Sequence, residues 1–506
     1  MIFTNSDLMF KGMKCMKVTT KIFGIVSLMG LFAATLDAQI LEDGLRYSQA
    51  GLGVGARELG MGNATVGGVN DYSALFWNPA GLAFDKNFEF SFGLTRTDYS
   101  NDASYLGTTT NSDKSTINLN NIGIVYPVAT ARGSLTFAFG FNRAANYTAT
   151  STVNAFNSSS SFTQSDALLN QPYDYNVSDW LGVAHYDSLT GISTPLLNGN
   201  VQQMFNFLEG GGLNHWTFGG AMDIAKNLSF GVSLNFAAGS YSFDGTFDET
   251  DAHNLYTTPP TDFSKFGYEY NVNDDITGVN ALFGLMYKKP GKYSFGISLR
   301  TPTSYDITDK TTELYGSSTF KTADANGYSS YSYPFTAYDP VKYSITSPWV
   351  FSGGISVQAF DWLVLAGDAE YTDWTTIEFS SDDANNDETM SSLNSEVKNE
   401  LQATTNLRGG AEITLWSIGL KLRGGIIYNP TPYKNSPSSY DQTYYTGGVG
   451  FDFDQNTSLN LGYAYGTWKQ ARTIYSYTDA SNNTNYVGSN ESITLNYINL
   501  TLTYRF

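Results

Sequence analysis

The last eleven residues, Asn496 to Phe506, alternate. Ile498, Leu500, Leu502, Tyr504 and Phe506 share one parity, while Asn499, Thr501, Thr503 and Arg505 occupy the other. Successive side chains of a strand point to opposite faces, so this is a two-faced β-strand. One apolar face, one polar face and a terminal aromatic match the closing strand of an outer-membrane barrel.

The same pattern recurs upstream. Phe88, Phe90, Phe92 and Leu94 alternate with Glu89, Ser91, Gly93 and Thr95; Leu135, Phe137, Phe139 and Phe141 alternate with Thr136, Ala138, Gly140 and Asn142. Further examples begin at Leu228, Tyr293, Leu407 and Leu459. About fourteen such segments can be counted, an even number within the range of single-chain barrels. Some neighbours are joined by a few turn residues, as at Ala225-Lys226-Asn227, Lys289-Pro290-Gly291, Phe360-Asp361 and Asp454-Gln455-Asn456. The alternate connections are long and polar: Thr148 to Leu213, Asp306 to Asp339, Ser380 to Lys398 and Ile474 to Glu491. Short turns on one rim and long loops on the other are the expected asymmetry of a transmembrane antiparallel β-barrel, whereas a soluble sandwich or propeller spaces its strands more evenly.

The N-terminus reads differently. Lys11, Lys14, Lys17 and Lys21 precede the uncharged run Ile22 to Leu36, which ends near Ala38. At 15 residues the run is shorter than the ~20 of a spanning helix, so residues 1–38 are expected to be a secretory signal peptide cleaved between Ala38 and Gln39. The single cysteine, Cys15, lies upstream of that run, leaving no disulfide framework for the mature chain. Of 28 basic and 47 acidic side chains, four and two fall in residues 1–38, so the mature charge is −21. That balance argues against nucleic acid as a partner.

Residues 39–86 do not alternate. They carry Gly51, Gly53, Gly55, Gly60, Gly62, Gly67 and Gly68, and a structureless stretch of this length needs a location, either a periplasmic tail or a plug inside the lumen. Small residues on the lumen parity of the expected strands, such as Gly448, Gly450, Gly462, Ala464 and Gly466, favour the plug. The expected organisation is therefore a hatch over 39–86 and a barrel over 87–506, in the outer membrane of a Gram-negative bacterium with outer-membrane lipid around it.

Chemistry is sparse. His185, His215 and His253 fall in or beside expected loops without metal-ligand spacing; no nucleophile elbow or phosphate loop is present. No catalytic residue, metal or cofactor is expected. Charges on the lumen parity, Arg408 with Glu412, Lys421 with Arg423 and Asp368 with Glu370, read as a salt-bridge network fixing the plug, or as one cation awaiting a carboxylate ligand. Leu282 and Met286 are apolar lumen candidates, lining a ligand pocket or packing on the plug. Asn78-Pro79 in Trp77-Asn78-Pro79-Ala80-Gly81 is a turn signal, and Val201 to Leu208 is readable as a short amphipathic helix over the barrel mouth or as loop packing.

Together these motifs resemble the FadL-type outer-membrane transporters of long-chain fatty acids and other hydrophobic compounds. Gly55-Ala56-Arg57, Gly60-Met61-Gly62, Asp71 to Ala74 and Asn78-Pro79-Ala80-Gly81-Leu82 are similar to the family's hatch. Gly284 to Tyr287, Leu299 to Pro302, Ser347-Pro348-Trp349, Glu370 to Trp374, Arg423-Gly424-Gly425 and Tyr428 to Pro432 continue the likeness in order. The resemblance implies a fourteen-strand barrel closed by a hatch and diffusion-driven uptake of hydrophobic small molecules such as long-chain fatty acids. It also implies an apolar lumenal site and sideways exit at a kink in the third strand, here Ser134 to Tyr147, with Gly140, Phe141, Asn142 and Ala144 to Asn146 as kink candidates. Glycine there is permissive of a break in the ladder; a small residue facing the hatch in an unbroken strand is the alternative. A protein-interaction barrel, of the kind used as a shuttle in type IX secretion, is the competing function.

Overall fold

The computed structural model describes residues 33–165, 180–187, 192–259, 262–334, 340–383, 386–415, 417–479 and 483–506. Most of the expected signal peptide, residues 1–32, lies outside them, as do residues 166–179 and 188–191 of the expected long loop.

Fourteen antiparallel strands close into a barrel. They are β1 (Glu89–Tyr105), β2 (Thr108–Val128), β3 in two pieces (Leu135–Asn146 and Ala149–Asn157), β4 (Val201–Ala225), β5 (Leu228–Thr250) and β6 (Phe263–Lys289). Then come β7 (Tyr293–Arg300 and Ser304–Phe320), β8 (Val341–Thr346 and Val350–Phe360), β9 (Leu363–Asp373 and Glu378–Ser380) and β10 (Ala403–Leu415). The last four are β11 (Leu420–Asn429), β12 (Gln442–Asp452), β13 (Thr457–Thr478) and β14 (Thr484–Arg505). Closure is by β14 on β1, with Phe90 opposite Tyr504 and Arg96 opposite Ile498. The Phe506 amide donates to the Phe88 carbonyl at 2.8 Å, and the two rings meet edge-to-face at 4.9 Å.

The outward parity is the apolar one. Phe218, Phe236, Ile297, Phe351, Leu407 and Leu461 are exposed on the outer wall, where hydrocarbon rather than water solvates them. Their sequence neighbours on the other parity are buried in the lumen, as Arg423, Glu412 and Asp368 illustrate. Aromatic groups cluster at the short-turn rim, with Phe360 stacked on Trp362 and Phe451 edge-on to Phe453, the usual girdle at a membrane interface.

Several expected loops are strand. Val201 to Leu208 is the first part of β4: Val201, Gln203, Phe205 and Phe207 are buried while the alternate residues are not, a period of two rather than a helical stripe. The upper piece of β3 likewise occupies part of the expected Thr148 to Leu213 loop, and β7, β13 and β14 run into their expected loops. These extensions keep an apolar inner face, but their outer faces mix polar and apolar residues, as Gln202, Met204, Asn206 and Leu208 do, because they rise above the hydrocarbon; the alternation that marks a lipid-facing strand fades there. His215 is also a correction, lying buried on β4 rather than in a loop.

The lumen is filled by the segment that precedes β1. It comprises α1 (Ala33–Ser48), which spans the expected cleavage point, then α2 (Ala56–Gly60), α3 (Ala74–Trp77) and a 3-10 turn, Pro79–Phe84. At the loop-side end, α1 shares a buried cluster with α4 (Asp387–Glu400) through Leu41, Leu45, Leu393 and Val397. From there the chain descends toward the short-turn rim.

Candidate functional site

Hatch and wall meet backbone to backbone. A Cβ at Gly410 would overlap the Met61 carbonyl, one at Gly296 the Val66 carbonyl, and one at Gly231 would lie within the Pro79 peptide. The lumen glycines are therefore where the plug sits. Wall side chains satisfy hatch amides that would otherwise be orphaned in the interior: Asp368 accepts from Thr65 N at 2.6 Å and Val66 N at 2.8 Å, Glu89 from Tyr72 N at 2.9 Å, and Thr501 from Ala56 N at 3.1 Å.

Asn78, Pro79, Ala80 and Gly81 form the lowest anchor. The Asn78 carboxamide caps the 3-10 turn by accepting from Ala80 N at 3.2 Å, and its Nδ2 donates to the Val66 carbonyl at 2.8 Å. Pro79 begins that turn, where a missing amide costs nothing. The Ser229 hydroxyl donates to the Ala80 carbonyl at 2.8 Å, tying the turn to β5.

The lumenal charges form a network. Arg423 of β11 meets Glu412 of β10 at 2.7 Å, and Arg57 of the hatch reaches the same carboxylate at 3.4 Å. Arg408 pairs with Glu370 at 2.8 Å and Lys421 with Asp452 at 2.8 Å. All three wall cations singled out by the sequence thus have carboxylate partners. Within the hatch, burial and the nearby Asp71 carboxylate push the Glu58 carboxyl up to about 8. Leu282 and Met286 are buried; Leu282 borders Val66 and Trp77, and Met286 belongs to the cluster that holds Ala80 and Leu82.

The wall is incomplete beside β3. Its register with β2 runs from Val128 opposite Leu135 to Asn121 opposite Asn142 and stops. Above that point β3 keeps pairing with β4 only, through a register shift between Arg143 and Ala145, and its upper piece pairs Ala149–Asn157 with Val201–Glu209. The Ala144 carbonyl turns inward to accept from Gly51 N of the hatch at 2.8 Å. Gly140, Phe141 and Asn142 are the last residues paired on both sides, so the interruption begins at Arg143. Gly140 lies under Tyr72, whose hydroxyl donates to Asn142 Oδ1 at 3.0 Å.

Side chains alone bridge the missing ladder. Asn146 Nδ2 donates to Thr116 Oγ1 and Thr97 Oγ1, each at 3.2 Å, and Thr116 Oγ1 lies 3.5 Å from Thr148 Oγ1. Two cavities meet there. An inner chamber of about 290 Å³ lies between the hatch residues Arg46 to Gly53, the inner face of β3 and the side chains of Tyr444, Trp468 and Tyr497. An outer groove of about 370 Å³ opens on the other side, between β2 and the Gly210-Gly211-Gly212 run of β4. Arg143, Asn146, Thr148 and Glu209 line both. Above the chamber the lumen is aromatic, with Phe207 stacked on Phe243 at 5.6 Å and Phe162 against Phe247 at 4.7 Å.

Residues 214–506 match the family model of the outer membrane protein transport proteins (OMPP1/FadL/TodX). The chain belongs to that family. Membership places it in the Gram-negative outer membrane, among channels for hydrophobic compounds. Solved structures share the fold across nearly the whole barrel. The Pseudomonas putida toluene transporter TodX aligns at a TM-score of 0.54 with 14% identity, over 90% of this chain and 99% of that one. A Pseudomonas aeruginosa FadL homologue aligns at 0.52 with 14% identity, over 91% and 100%. The Ralstonia pickettii toluene transporter TbuX aligns at 0.50 with 15% identity, over 90% and 98%. No curated protein sequence matches the chain.

The chamber-facing residues Gln49, Tyr444 and Trp468 were not legible as a site from sequence. Tyr444 and Trp468 share only inward parity on their strands, and Gln49, in the hatch, carries no periodic signal at all.

Proposed function

We propose that the barrel is a passive, diffusion-driven conduit for hydrophobic small molecules such as long-chain fatty acids. Cargo is held in the inner chamber and leaves sideways, beside β3, into the outer membrane. The observation that carries this reading is the shared lining of chamber and groove across a stretch where β2 has no ladder partner on its β3 side. Downward passage is opposed by the glycine-to-backbone packing of the hatch. Sideways passage requires that side-chain hydrogen bonds such as those among Asn146, Thr97, Thr116 and Thr148 part, each contributing about 0.5–1.5 kcal/mol net. Aromatic hydrocarbons, the cargo named for TodX and TbuX, are the neighbouring class of substrate.

A reversible lock tests the route. Thr116→Cys with Thr148→Cys, in a Cys15→Ser background, puts sulfur atoms on both sides of the gap. Oxidation should bring uptake of a labelled long-chain fatty acid to background, and reduction should restore it. Undiminished uptake by the oxidised form would remove the lateral exit.

A further inference from the structure

The arginines of the lumen are, with few exceptions, paired. Arg46 and Arg472 both approach Glu209, at 3.9 and 3.7 Å, and Arg472 also meets Glu491 at 3.3 Å. Arg57 and Arg423 share Glu412, and Arg408 has Glu370. Arg143 differs. Among the described residues no carboxylate lies within 4.0 Å of it; its guanidinium donates to the Gly211 carbonyl at 2.9 Å and reaches Asn214 and Asn146 Oδ1 at 3.5 Å, while its buried Nε has no partner. A cation with an unused donor in a low-dielectric wall is a strong site for an anion.

The surroundings keep that position open. A Cβ on Gly212 would overlap the Arg143 guanidinium, so glycine is needed for the side chain to lie in the gap. Lys114 of β2 lines the outer groove as well, also without a carboxylate partner among the described residues. The one carboxylate lining the groove, Glu209, is shared by Arg46 and Arg472. Two residues below Asn214, on the same outer face of β4, Trp216 begins the apolar band; it stacks on Phe139 at 5.8 Å and meets Phe141 edge-on at 5.6 Å. The cations therefore sit at the upper edge of the hydrocarbon, where the polar head of an amphiphile rests once its tail is in lipid.

We propose that Arg143 and Lys114 form a station for the anionic head group of the cargo at the lateral gap, selecting a long apolar chain that carries a carboxylate over its neutral counterpart. The inference rests on the lateral route proposed above. It assigns the discriminating charge to residues that the internal ion-pair network leaves free, rather than to Arg408, Lys421 or Arg423.

Purified barrel in detergent is titrated with a bromine-labelled long-chain carboxylic acid and with the alcohol of the same chain, following quenching of tryptophan; Trp216 borders the gap and Trp468 the chamber. Uptake of the same two compounds is measured in cells. The acid should be favoured over the alcohol at least tenfold in both assays. Arg143→Met with Lys114→Met should bring the ratio near one, and Arg143→Lys should retain the preference, which separates lost charge from lost fold. An acid-to-alcohol ratio near one in the unaltered protein, or a preference that survives the double substitution, overturns the station while leaving the conduit standing. Binding and uptake of neither compound would overturn the conduit, and the station with it.

Discussion

The hatch-filled part of the barrel and the gap beside β3 are built from opposite materials. In the first, backbone lies on backbone, every wall strand from β4 onward to β1 is laddered to its next neighbour with only local register shifts, and buried carboxylates hold hatch amides. In the second, one ladder is absent and a few Asn and Thr side chains span the distance. The contrast teaches where this molecule can move: a contact made by glycines tolerates no substitution and no sliding, whereas a contact made by side-chain hydrogen bonds opens by rotamer changes.

Four substitutions probe that contrast. The largest effect is expected for Gly410→Val, because added carbon atoms would occupy the position of the Met61 carbonyl. Overpacking of this kind costs about 1–3 kcal/mol or more, and the hatch should be displaced, measured as new conductance for small polar solutes; an unaltered, silent barrel would mean the packing is looser than described. Asp368→Asn keeps the shape and removes the charge that accepts from Thr65 and Val66. A loss of about 1 kcal/mol is expected, read as faster hydrogen exchange over residues 59–69 with little change in the strands.

Glu58→Gln tests the hatch electrostatics through pH. The folded carboxyl titrates near 8, above its ordinary value of 4.5, so the folded state binds more protons between those limits. Hatch stability should then be greatest below about 4.5 and decline as pH rises through about 8. The glutamine variant should lack that decline, and parallel urea midpoints for the two proteins across the range would contradict the assignment. The smallest change in stability is expected for Asn146→Ala: its side chain makes five hydrogen bonds, two of them across the gap to Thr97 and Thr116, but beside an open groove water replaces them, and the loss should be about 1 kcal/mol. Its effect on amide exchange over residues 143–148 should nevertheless exceed its effect anywhere in the hatch.

Much of this architecture could be read before any coordinates. Alternation located the strands because lipid on one side and a filled lumen on the other impose a period of two, and the small residues at Gly448 and Gly462 foretold a plug because a wall without side chains must touch something. Alternation stops marking strands where that asymmetry ends. Val201 to Leu208 and the upper piece of β3 are strand, yet both lie above the hydrocarbon, where no apolar outer face is demanded. The kink candidates, Gly140 to Asn142 and Ala144 to Asn146, lie on either side of the point where the β2 ladder ends; that the break starts at Arg143, beside the Gly51 amide on the Ala144 carbonyl, involves a contact between residues far apart in sequence that leaves no local trace. Arg143 itself looked unremarkable for the same reason, because being unpaired is a property of the surroundings rather than of the residue.

The inner face of the wall is a mould and the hatch its cast. Glycines such as Gly231, Gly296, Gly354 and Gly410 on one match particular peptides of the other, so neither surface can drift alone. A hatch borrowed from a relative with 14% identity, although it shares the fold, would arrive with its bumps in the wrong places, and a chimera of that kind should leak even when both halves are individually sound.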